Sequence, residues 1–531
     1  MNRWGDEALD SIFDRNAEYL SQKNLDRLRK AERTNIEIRS ARDGSKVPVL
    51  RGGNRSRPIH SLILPEREAD STFAGASDRG VPGFVVAIGL GAGFHLRRFI
   101  EHVDVHSLLV IDPEPAVCKA ILREIDLTKL LSDSKVLIHI APEAEEIVVA
   151  IEGTYNPILF GDLRVVTNRA LADIFPDAYR RVESIVRRSV DSTMVDGATQ
   201  TRLGLRWMRN AIQNLPFAEN QNRIAKPFES AIVTAAGPSL ESGLESLRRN
   251  RGDRAIVATD TSLPALNAAG ISPDYAVSID AQIYSYHHYL AADDQKPIFV
   301  FGLSVPRCIT KRVKKKMFIA GSHPFSRIVA EAFGLSRFGF GWGSVTAAAI
   351  EVAKIVGSER TEIIGADFGY PLGKPYARGT YLYSLFGTRC VRSNPLESEM
   401  ADIVFRDPES RREQRNGEIV YIPRIMDHYR KIIEKLLLAN SNTRGDSRAN
   451  WSGGWIPFLN RFLNRLETLP ALSHPLPKYA NDLRSDERAA FSTLLPGAMR
   501  FLAETSDPVS AIDMSRRRTI ELCVHALQDD S

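Results

Sequence analysis

The chain has 531 residues, of which 43% are hydrophobic and 25% are charged, so we expect about two or three domains, each with its own core. The formal net charge of +5 is mild for this length and argues against a nucleic-acid-binding protein, which gathers its positive charge into a patch. The four cysteines are widely spaced and form no CxxC pair, which argues against a disulfide framework and a cysteine zinc site.

The N-terminal segment Met1–Asn16 contains four acidic residues and lacks the apolar region of a signal peptide. No apolar stretch reaches about 18 residues, the length that predicts a transmembrane helix. We therefore expect a cytoplasmic protein with no membrane span.

Residues 1–80 are predicted to form a helical N-terminal extension with linker sequence, because apolar residues recur there at helical spacing. The expected linkers are Arg51–Pro58, which is rich in Gly, Arg, Ser and Pro, and Asp70–Gly83.

Residues 81–165 have the order of elements of a Rossmann-like domain. A strand from Phe84 leads into a glycine turn, an amphipathic helix and a second apolar strand that ends in an acid. This order predicts a βαβ unit. The apolar runs Val136–Ile140 and Asn156–Leu159 are expected to add further strands.

The glycine turn of this unit is a candidate second nucleoside site. Gly89, Gly91 and Gly93 follow the strand directly, where glycines let the backbone approach a ligand. Asp112, at the tip of the next strand, is placed to bind a ribose hydroxyl. The GxGxG spacing is similar to that of S-adenosylmethionine-dependent methyltransferases and does not match the GxGxxG phosphate loop. The favoured alternative is a scaffold whose glycines serve packing.

Residues 166–227 have a helical pattern and are predicted to connect the first domain to a central α/β domain at residues 228–390. Apolar runs there alternate with helical stretches, which indicates a mostly parallel sheet covered on both faces. Residues 391–531 are predicted to be mainly helical. The domain opens with a strand in the segment Ala231–Leu240, and further strands are expected at Ala255–Thr259, Tyr275–Ile279, Ile298–Gly302, Met317–Ala320 and Glu362–Gly365.

The first candidate binding feature of the central domain is the corner Gly237-Pro238-Ser239. Glycine permits the turn out of the strand, proline suits the first turn of a helix, and serine places a hydroxyl beside backbone N–H groups. Such a corner can hold a phosphate or a ribose. A plain strand–helix junction is the alternative.

Acidic residues end three of the predicted strands. Asp260 lies 23 residues after Gly237 and is followed by Thr261 and Ser262; helix capping is the alternative role for all three. Asp280 and Asp367 end two further strands. Because ligands bind at the carboxyl ends of parallel strands, we expect the three aspartates to share one crevice as catalytic residues.

Further residues are expected around the same crevice. Gln282 follows Asp280, and Gly343 with Ser344 opens a helix of small residues. His323 is a candidate general base because an imidazole titrates near neutral pH; a structural role is the alternative. The segment after Asp367 supplies Tyr370, Lys374, Tyr376 and Arg378, which are expected to close over a ligand and pair with its acidic groups. Phe368, directly after Asp367, is expected to contribute to the same binding site.

One dense basic run, Lys311–Arg312 with Lys314–Lys316, precedes a predicted strand. A solvated helix end explains such a run, and a site for phosphate or an anionic partner is the alternative.

Taken in order, five central segments resemble the motility accessory factors (Maf proteins) over roughly residues 200–390. They are similar as well to the archaeal 6-hydroxymethylpterin pyrophosphokinases, the MptE-like proteins. The segments are Ala236–Leu240, Ala258–Ser262, Pro273–Asp280, Gly343–Val345 and Gly365–Phe368.

The resemblance implies two activities and a sialyltransferase-like central fold. Maf proteins are flagellin glycosyltransferases, thought to move a nonulosonic acid from its cytidine monophosphate (CMP) form to Ser or Thr. The pterin enzymes transfer pyrophosphate from ATP and use magnesium, whereas the sugar transfer is expected to need no cofactor and no metal. The additional N- and C-terminal regions favour the first activity. A non-catalytic flagellin-binding scaffold is a further alternative.

Overall fold

The computed structural model describes residues 12–32, 34–52, 55–219, 228–290, 296–338, 343–438 and 450–529. The chain divides into two compact units. The first comprises Met1–Thr201, Ala471–Leu483 and Ala498–Ala511, and the second comprises Arg202–Pro470, Arg484–Gly497 and Ile512–Ser531.

The described part of the chain contains strands and helices in alternation. The strands are β1 (Ile36–Ser40), β2 (Lys46–Gly52), β3 (Arg55–Pro58), β4 (Phe84–Ile88), β5 (Ser107–Asp112), β6 (Val136–Ile140), β7 (Leu163–Thr167), β8 (Ser230–Thr234), β9 (Ala255–Thr259), β10 (Tyr275–Ser278), β11 (Ile298–Gly302), β12 (Lys316–Ala320), β13 (Ser336–Arg337), β14 (Arg360–Ile364), β15 (Tyr370–Pro371), β16 (Arg411–Arg415) and β17 (Glu418–Ile422). The helices are α1 (Ile12–Ala17), α2 (Gln22–Lys30), α3 (Pro65–Ala76), α4 (Phe94–Glu101), α5 (Pro115–Glu124), α6 (Thr128–Leu131), α7 (Ala144–Thr154), α8 (Pro157–Phe160), α9 (Arg169–Ile174), α10 (Pro176–Glu219), α11 (Leu240–Asn250), α12 (Leu263–Ala268), α13 (Arg307–Arg312), α14 (Pro324–Phe333), α15 (Val345–Ile355), α16 (Tyr381–Gly387), α17 (Leu396–Val404), α18 (Arg424–Leu438), α19 (Trp455–Glu467), α20 (Leu476–Asp482), α21 (Ser485–Ser492), α22 (Leu495–Thr505) and α23 (Pro508–Asp529). Two 3-10 helices, Asp260–Ser262 and Ile283–Tyr289, follow β9 and β10.

The first unit contains a four-stranded sheet in the order β6-β5-β4-β7, with every pair parallel. All residues of β4 and β5 are buried, as expected for central strands covered by helices on both faces. The Rossmann-like prediction for the N-terminal region is thereby confirmed.

Three local predictions for the first unit need correction. Part of the predicted helical extension and linker forms an antiparallel sheet, β1-β2-β3, in which Ile36 pairs with Leu50. Much of the second predicted linker belongs to α3. The run Asn156–Leu159 is not a strand. Asn156 caps α8 by accepting a hydrogen bond from the Ile158 N–H, and proline occupies the first turn, so the chain becomes helical there and the strand forms later, as β7.

The second unit is built on a seven-stranded sheet in the order β13-β12-β11-β10-β9-β8-β14. Every neighbouring pair is parallel, which confirms the predicted parallel α/β domain. The helix α15 covers the strand face with the small residues Ala347–Ala349, and Ile433 and Leu436 of α18 complete this core. The predicted strand positions agree with the observed ones to within about two residues at either end.

A second, three-stranded antiparallel sheet, β15-β17-β16, follows the parallel sheet. Its hairpin turns at Asn416 and Gly417, both with positive φ, as the Asn-Gly dipeptide favours. The described residues after 391 are otherwise mainly helical, as predicted. They are divided between the two compact units. The predicted connector is divided as well, after Thr201 within α10.

Candidate functional site

The candidate site lies at the point where the strand order of the large sheet reverses. The chain leaves β8 towards β9 on one side, whereas β14 joins β8 from the other side after a long excursion. In open α/β sheets the crevice outside the carboxyl ends of the strands at such a switch point is the usual place for a ligand.

The Gly-Pro-Ser corner and Asp367 meet at this switch point. The Gly237 N–H donates to the Gly365 carbonyl oxygen at 2.8 Å, and the Ser239 N–H donates to Asp367 Oδ2 at 3.1 Å. A Cβ atom on Gly237 would lie 2.1 Å from the same carboxylate oxygen, so only glycine fits. Pro238 and Ser239 remain partly accessible. Asp367 therefore shapes the corner and uses one of the N–H groups that a phosphate was expected to occupy.

Asp260 is buried and satisfied by neighbouring hydroxyl groups. Its Oδ1 accepts from the Thr261 N–H at 2.7 Å and the Thr261 hydroxyl at 3.0 Å, and its Oδ2 accepts from the Ser278 hydroxyl at 2.5 Å. Ser262 donates to the Thr234 and Thr259 carbonyl oxygens. These bonds tie the ends of β8, β9 and β10 together, so Asp260 is a positioning residue at the floor of the site.

Asp280 differs from Asp260 because the residue is exposed at the rim. Its Oδ1 accepts from the Gln282 N–H at 2.9 Å. Partial burial of the carboxyl group raises its pKa, and the nearby charge of Asp260 raises it further. A carboxylate with a raised pKa that reaches solvent is a better proton acceptor than an ordinary aspartate.

Aromatic residues lie around the two aspartates; Tyr376 was predicted there, whereas Tyr381 and His288 were not. Burial raises the pKa of Tyr381, and the charges of Asp280 and Asp260 add to that shift. The ring of His288, which is 8% exposed, meets the Tyr381 ring edge-on with centroids 4.5 Å apart. Burial likewise raises the pKa of Tyr376, which lies near Tyr381 and Asp260. Apart from Tyr376, the sequence signal for this cluster is the run of tyrosines and histidines just after Asp280, which contains His288.

The segment after Asp367 does close over the corner, but its cations do not all face a ligand. The Ala377 N–H donates to the Ala236 carbonyl oxygen at 2.8 Å. Lys374 Nζ binds Glu241 Oε1 at 2.5 Å, and the Arg378 N–H donates to the same oxygen at 2.6 Å. Burial raises the pKa of Glu241, but these donors lower it by more. The structure thus gives Lys374 an internal ion pair and leaves the Arg378 side chain exposed.

Phe368 and the start of α15 complete the edge. Phe368 has a left-handed backbone, φ 48°, and packs on the core beneath the sheet. A Cβ atom on Gly343 would lie 2.5 Å from the Tyr429 ring, which explains the glycine. Ser344 begins α15 without a side-chain capping bond. The two residues before Gly343, Gly341 and Trp342, lie outside the described residues.

His323 does not behave as a general base. It is 5% exposed, its Nδ1 accepts from the Phe325 N–H at the start of α14, and its ring meets Trp207 edge-on. Burial lowers its pKa to about 4, so the ring is neutral at physiological pH. The contacts support the structural alternative, a helix cap.

The glycine turn of the first unit also lies at a switch point, between β4 and β7, but side chains of the protein fill it. Gly89, Gly91 and Gly93 have positive φ. The Ala92 N–H donates to His60 Nε2 at 3.0 Å, and Cβ atoms on Gly89 and Gly91 would collide with the Asn168 and His60 side chains. This geometry supports packing as the role of these glycines.

Asp112 is fully buried beneath the same turn. Its carboxylate accepts from the Leu90 N–H at 2.7 Å and the Glu114 N–H at 2.9 Å. Burial raises its pKa, against these hydrogen bonds and one from the Cys118 thiol. Asp112 therefore holds the turn together and is not accessible to a ribose.

Among the described residues, no three His, Cys, Asp or Glu side chains converge into a set that could hold a metal ion. None of the described helices is both long enough and apolar enough to cross a membrane.

The fold defines the class: an α/β protein with two parallel sheets, each with a glycine corner at its switch point. A solved structure, the MAf glycosyltransferase from Magnetospirillum magneticum AMB-1, has the same fold, with a TM-score of 0.58 and 14% identity over 97% of this chain and 96% of that chain. The family model described as 6-hydroxymethylpterin diphosphokinase MptE-like matches residues 206–373.

Two relatives are uncharacterized proteins of Treponema pallidum (strain Nichols). One is 37% identical over 120 residues, which are 23% of this chain and 42% of the relative. The other is 32% identical over 177 residues, which are 32% of this chain and 81% of the relative. The chain thus spans less than half of the first relative and most of the second. The chain belongs to the same family as the second relative, its residues 206–373 match the MptE-like family model and its fold is that of a MAf glycosyltransferase, which confirms the resemblance predicted from the order of its central motifs.

Proposed function

We propose that this protein is a glycosyltransferase that moves a nonulosonic acid from its CMP form to a Ser or Thr hydroxyl of flagellin. The observation that carries the proposal is the position of Asp280, an exposed carboxylate of raised pKa at the carboxyl edge of the parallel sheet. The likeness in fold to a MAf glycosyltransferase extends over nearly the whole chain and favours this activity.

In the proposed reaction the bond between the anomeric carbon of the sugar and the phosphate oxygen of CMP breaks, and its electron pair leaves on the phosphate. The acceptor hydroxyl oxygen forms the new bond to that carbon and gives its proton to Asp280. Positive charge develops on the sugar in the transition state, which the carboxylates of Asp280 and Asp260 stabilise. Asp260 and Tyr381 hold the geometry that this step requires.

The test uses purified protein, a CMP-activated nonulosonic acid and recombinant flagellin. The expected result is release of CMP together with a flagellin mass increased by one sugar residue. CMP release without modified flagellin would place the acceptor in another class. Flagellin binding with no CMP release and no binding of CMP would overturn the proposal in favour of the non-catalytic scaffold.

The match to the MptE-like family model motivates a second candidate, ATP-dependent pyrophosphorylation of 6-hydroxymethyl-dihydropterin. Magnesium in such sites is commonly held by one or two carboxylates and by substrate phosphates. Both oxygens of Asp260 already accept hydrogen bonds and no three ligating side chains converge among the described residues, so such an ion would depend on Asp280, Asp367 and the substrate phosphates. Release of AMP from ATP and the pterin, abolished by EDTA, would favour this candidate.

A further inference from the structure

A cleft of about 650 Å³ lies beside the segment that carries Asp280. Three parts of the second unit form its walls: α10, α13 and the chain that follows β10. Among the described residues, its lining contains no acidic residue and four cationic ones, Arg206, Arg209, Arg307 and Lys311, together with neutral residues such as Gln282 and Tyr284.

The helix α10 builds one wall of the cleft and fixes the other. Arg206 and Arg209 are three residues apart and so share one helical face. Between them and the loops, the buried Asn210 donates to the Ala281 carbonyl oxygen at 3.2 Å and to the Ser304 carbonyl oxygen at 2.7 Å. These two hydrogen bonds attach the loops after β10 and β11 to the helix that carries the arginines, so the walls of the cleft are held in fixed positions.

Three of the cations in the cleft have no ion pair with a carboxylate among the described residues. Arg206, Arg209 and Lys311 are exposed, and no carboxylate of the described residues forms an ion pair with them. The guanidinium group of Arg307 lies over the Phe217 ring, 5.7 Å from its centroid, which fixes its position. Several cations in one concavity concentrate positive potential and attract anions. Lys311 belongs to the basic run of the sequence, for which an anion site was one interpretation.

The cleft supplies a cluster of positive charges beside the two aspartates. An activated acidic sugar is an anion, and the carboxylates of Asp260 and Asp280 repel it. Of the two cations expected to pair with acidic groups of the ligand, Lys374 is paired with Glu241 and Arg378 stays exposed. Gln282 lines the cleft and its N–H donates to Asp280, so the cleft lies next to the proposed base. Tyr284, 68% exposed, offers a ring on which a base or sugar can stack.

We propose that this cleft binds an oxyanion of the substrate, a phosphate or a carboxylate, and thereby directs the reacting carbon towards Asp280. Guanidinium groups suit both anions, because their paired N–H donors match two oxygens at once. The assignment of the anion to an activated sugar depends on the proposed function, whereas binding of an oxyanion in the cleft does not.

Cys308 provides a direct reporter, because it lines the cleft and is exposed. Cys118 and Cys523 are buried, and Cys390 can be removed as Cys390→Ala. The rate at which a neutral maleimide labels Cys308 is measured with inorganic phosphate, CMP, N-acetylneuraminate or CMP-N-acetylneuraminate. At about ten times Kd a bound probe slows labelling about tenfold. Protection by CMP identifies a phosphate, and protection by N-acetylneuraminate identifies a carboxylate.

The double variant Arg206→Gln/Arg209→Gln should raise the Kd of the protecting probe at least about tenfold, and protection should weaken with salt. The matched control, Arg248→Gln/Arg249→Gln, changes two exposed arginines of α11 and should leave Kd unchanged. Unaltered Kd in the first variant, or no protection by any probe, overturns the inference. If the variant keeps wild-type Kd while CMP is still released, the inference fails and the proposed function stands. Protection by phosphate without transfer would leave the cleft standing and overturn the function.

Discussion

The two glycine corners of this protein make an instructive pair. Each follows the first strand of a parallel sheet, lies at a switch point and is followed by an acid at the tip of the next strand. In the first unit His60 and Asn168 fill the space above the glycines. In the second unit the carboxyl edge keeps an exposed aspartate and opens towards a cationic cleft.

A glycine corner therefore specifies only the shape of the backbone. The side chains that pack against the corner determine whether a ligand can bind there. The glycines of the first corner need a positive φ in either case, whether the Ala92 N–H donates to a ligand or, as observed, to the His60 imidazole. A buried acid such as Asp112 can serve the same geometry by holding backbone N–H groups, with no ligand present. The predictions below test this contrast, from the largest expected effect to the smallest.

Asp112→Ala should destabilise the first unit by about 3 kcal/mol or more, because two buried N–H groups lose their acceptor. Urea unfolding followed by circular dichroism measures the change, with the exposed Asp78→Ala as a control. Affinity for a CMP-activated sugar should stay the same in the folded variant. If Asp112→Ala lost affinity for the CMP-activated sugar while its free energy of unfolding stayed the same, the first corner would be a ligand site. The two corners would then not differ in role.

Asp280→Asn should slow transfer at least about a hundredfold, the contribution expected of a general base, while the protein stays folded. CMP release under single-turnover conditions measures the rate. Asp253→Asn, an exposed change in the same unit, should have wild-type activity. A near-normal rate for Asp280→Asn would leave the second corner without its proposed catalytic residue.

The raised pKa of Asp280 gives the rate a pH dependence. Transfer should fall as the pH drops through that pKa, and the fall should begin at a higher pH than the usual aspartate value of about 3.9. Because the folded state binds this proton more tightly than the unfolded state, the ionised group lowers stability. Asp280→Asn should therefore raise the melting temperature at neutral pH, and this gain should vanish on acidification. A gain that persists in acid would contradict the assignment.

His323→Asn should change the rate by less than about twofold, because asparagine also caps helices. The pKa of His323 is lowered to about 4, so its neutral form contributes stability that is present above about pH 6.5 and lost as the pH falls through 4. The variant should flatten that part of the stability curve. A rate loss comparable to that of Asp280→Asn would restore His323 as the base.

The sequence alone predicted most strands of the two parallel sheets, the ends at which acids and glycines lie, and the family resemblance, but it missed the edge strands β7 and β13. Buried strands reveal themselves as continuous apolar runs, and the residue that follows each run must lie at the carboxyl edge. This local information also located Gly237, Asp260, Asp280 and Asp367. The small antiparallel sheet at β1–β3 was missed because its strands carry many charged and small residues, and pairing across the sheet stabilises them.

Only the tertiary structure decided which acids are accessible and which cations are free to bind an anion. His60 reaches the first glycine corner from a distant segment. Glu241 forms an ion pair with Lys374, and Ser278 donates a hydrogen bond to the buried Asp260. The cleft joins residues of α10 and α13 that are about 100 positions apart. Such contacts depend on how helices and loops pack around the sheets, and a pattern read along the chain carries no record of that packing.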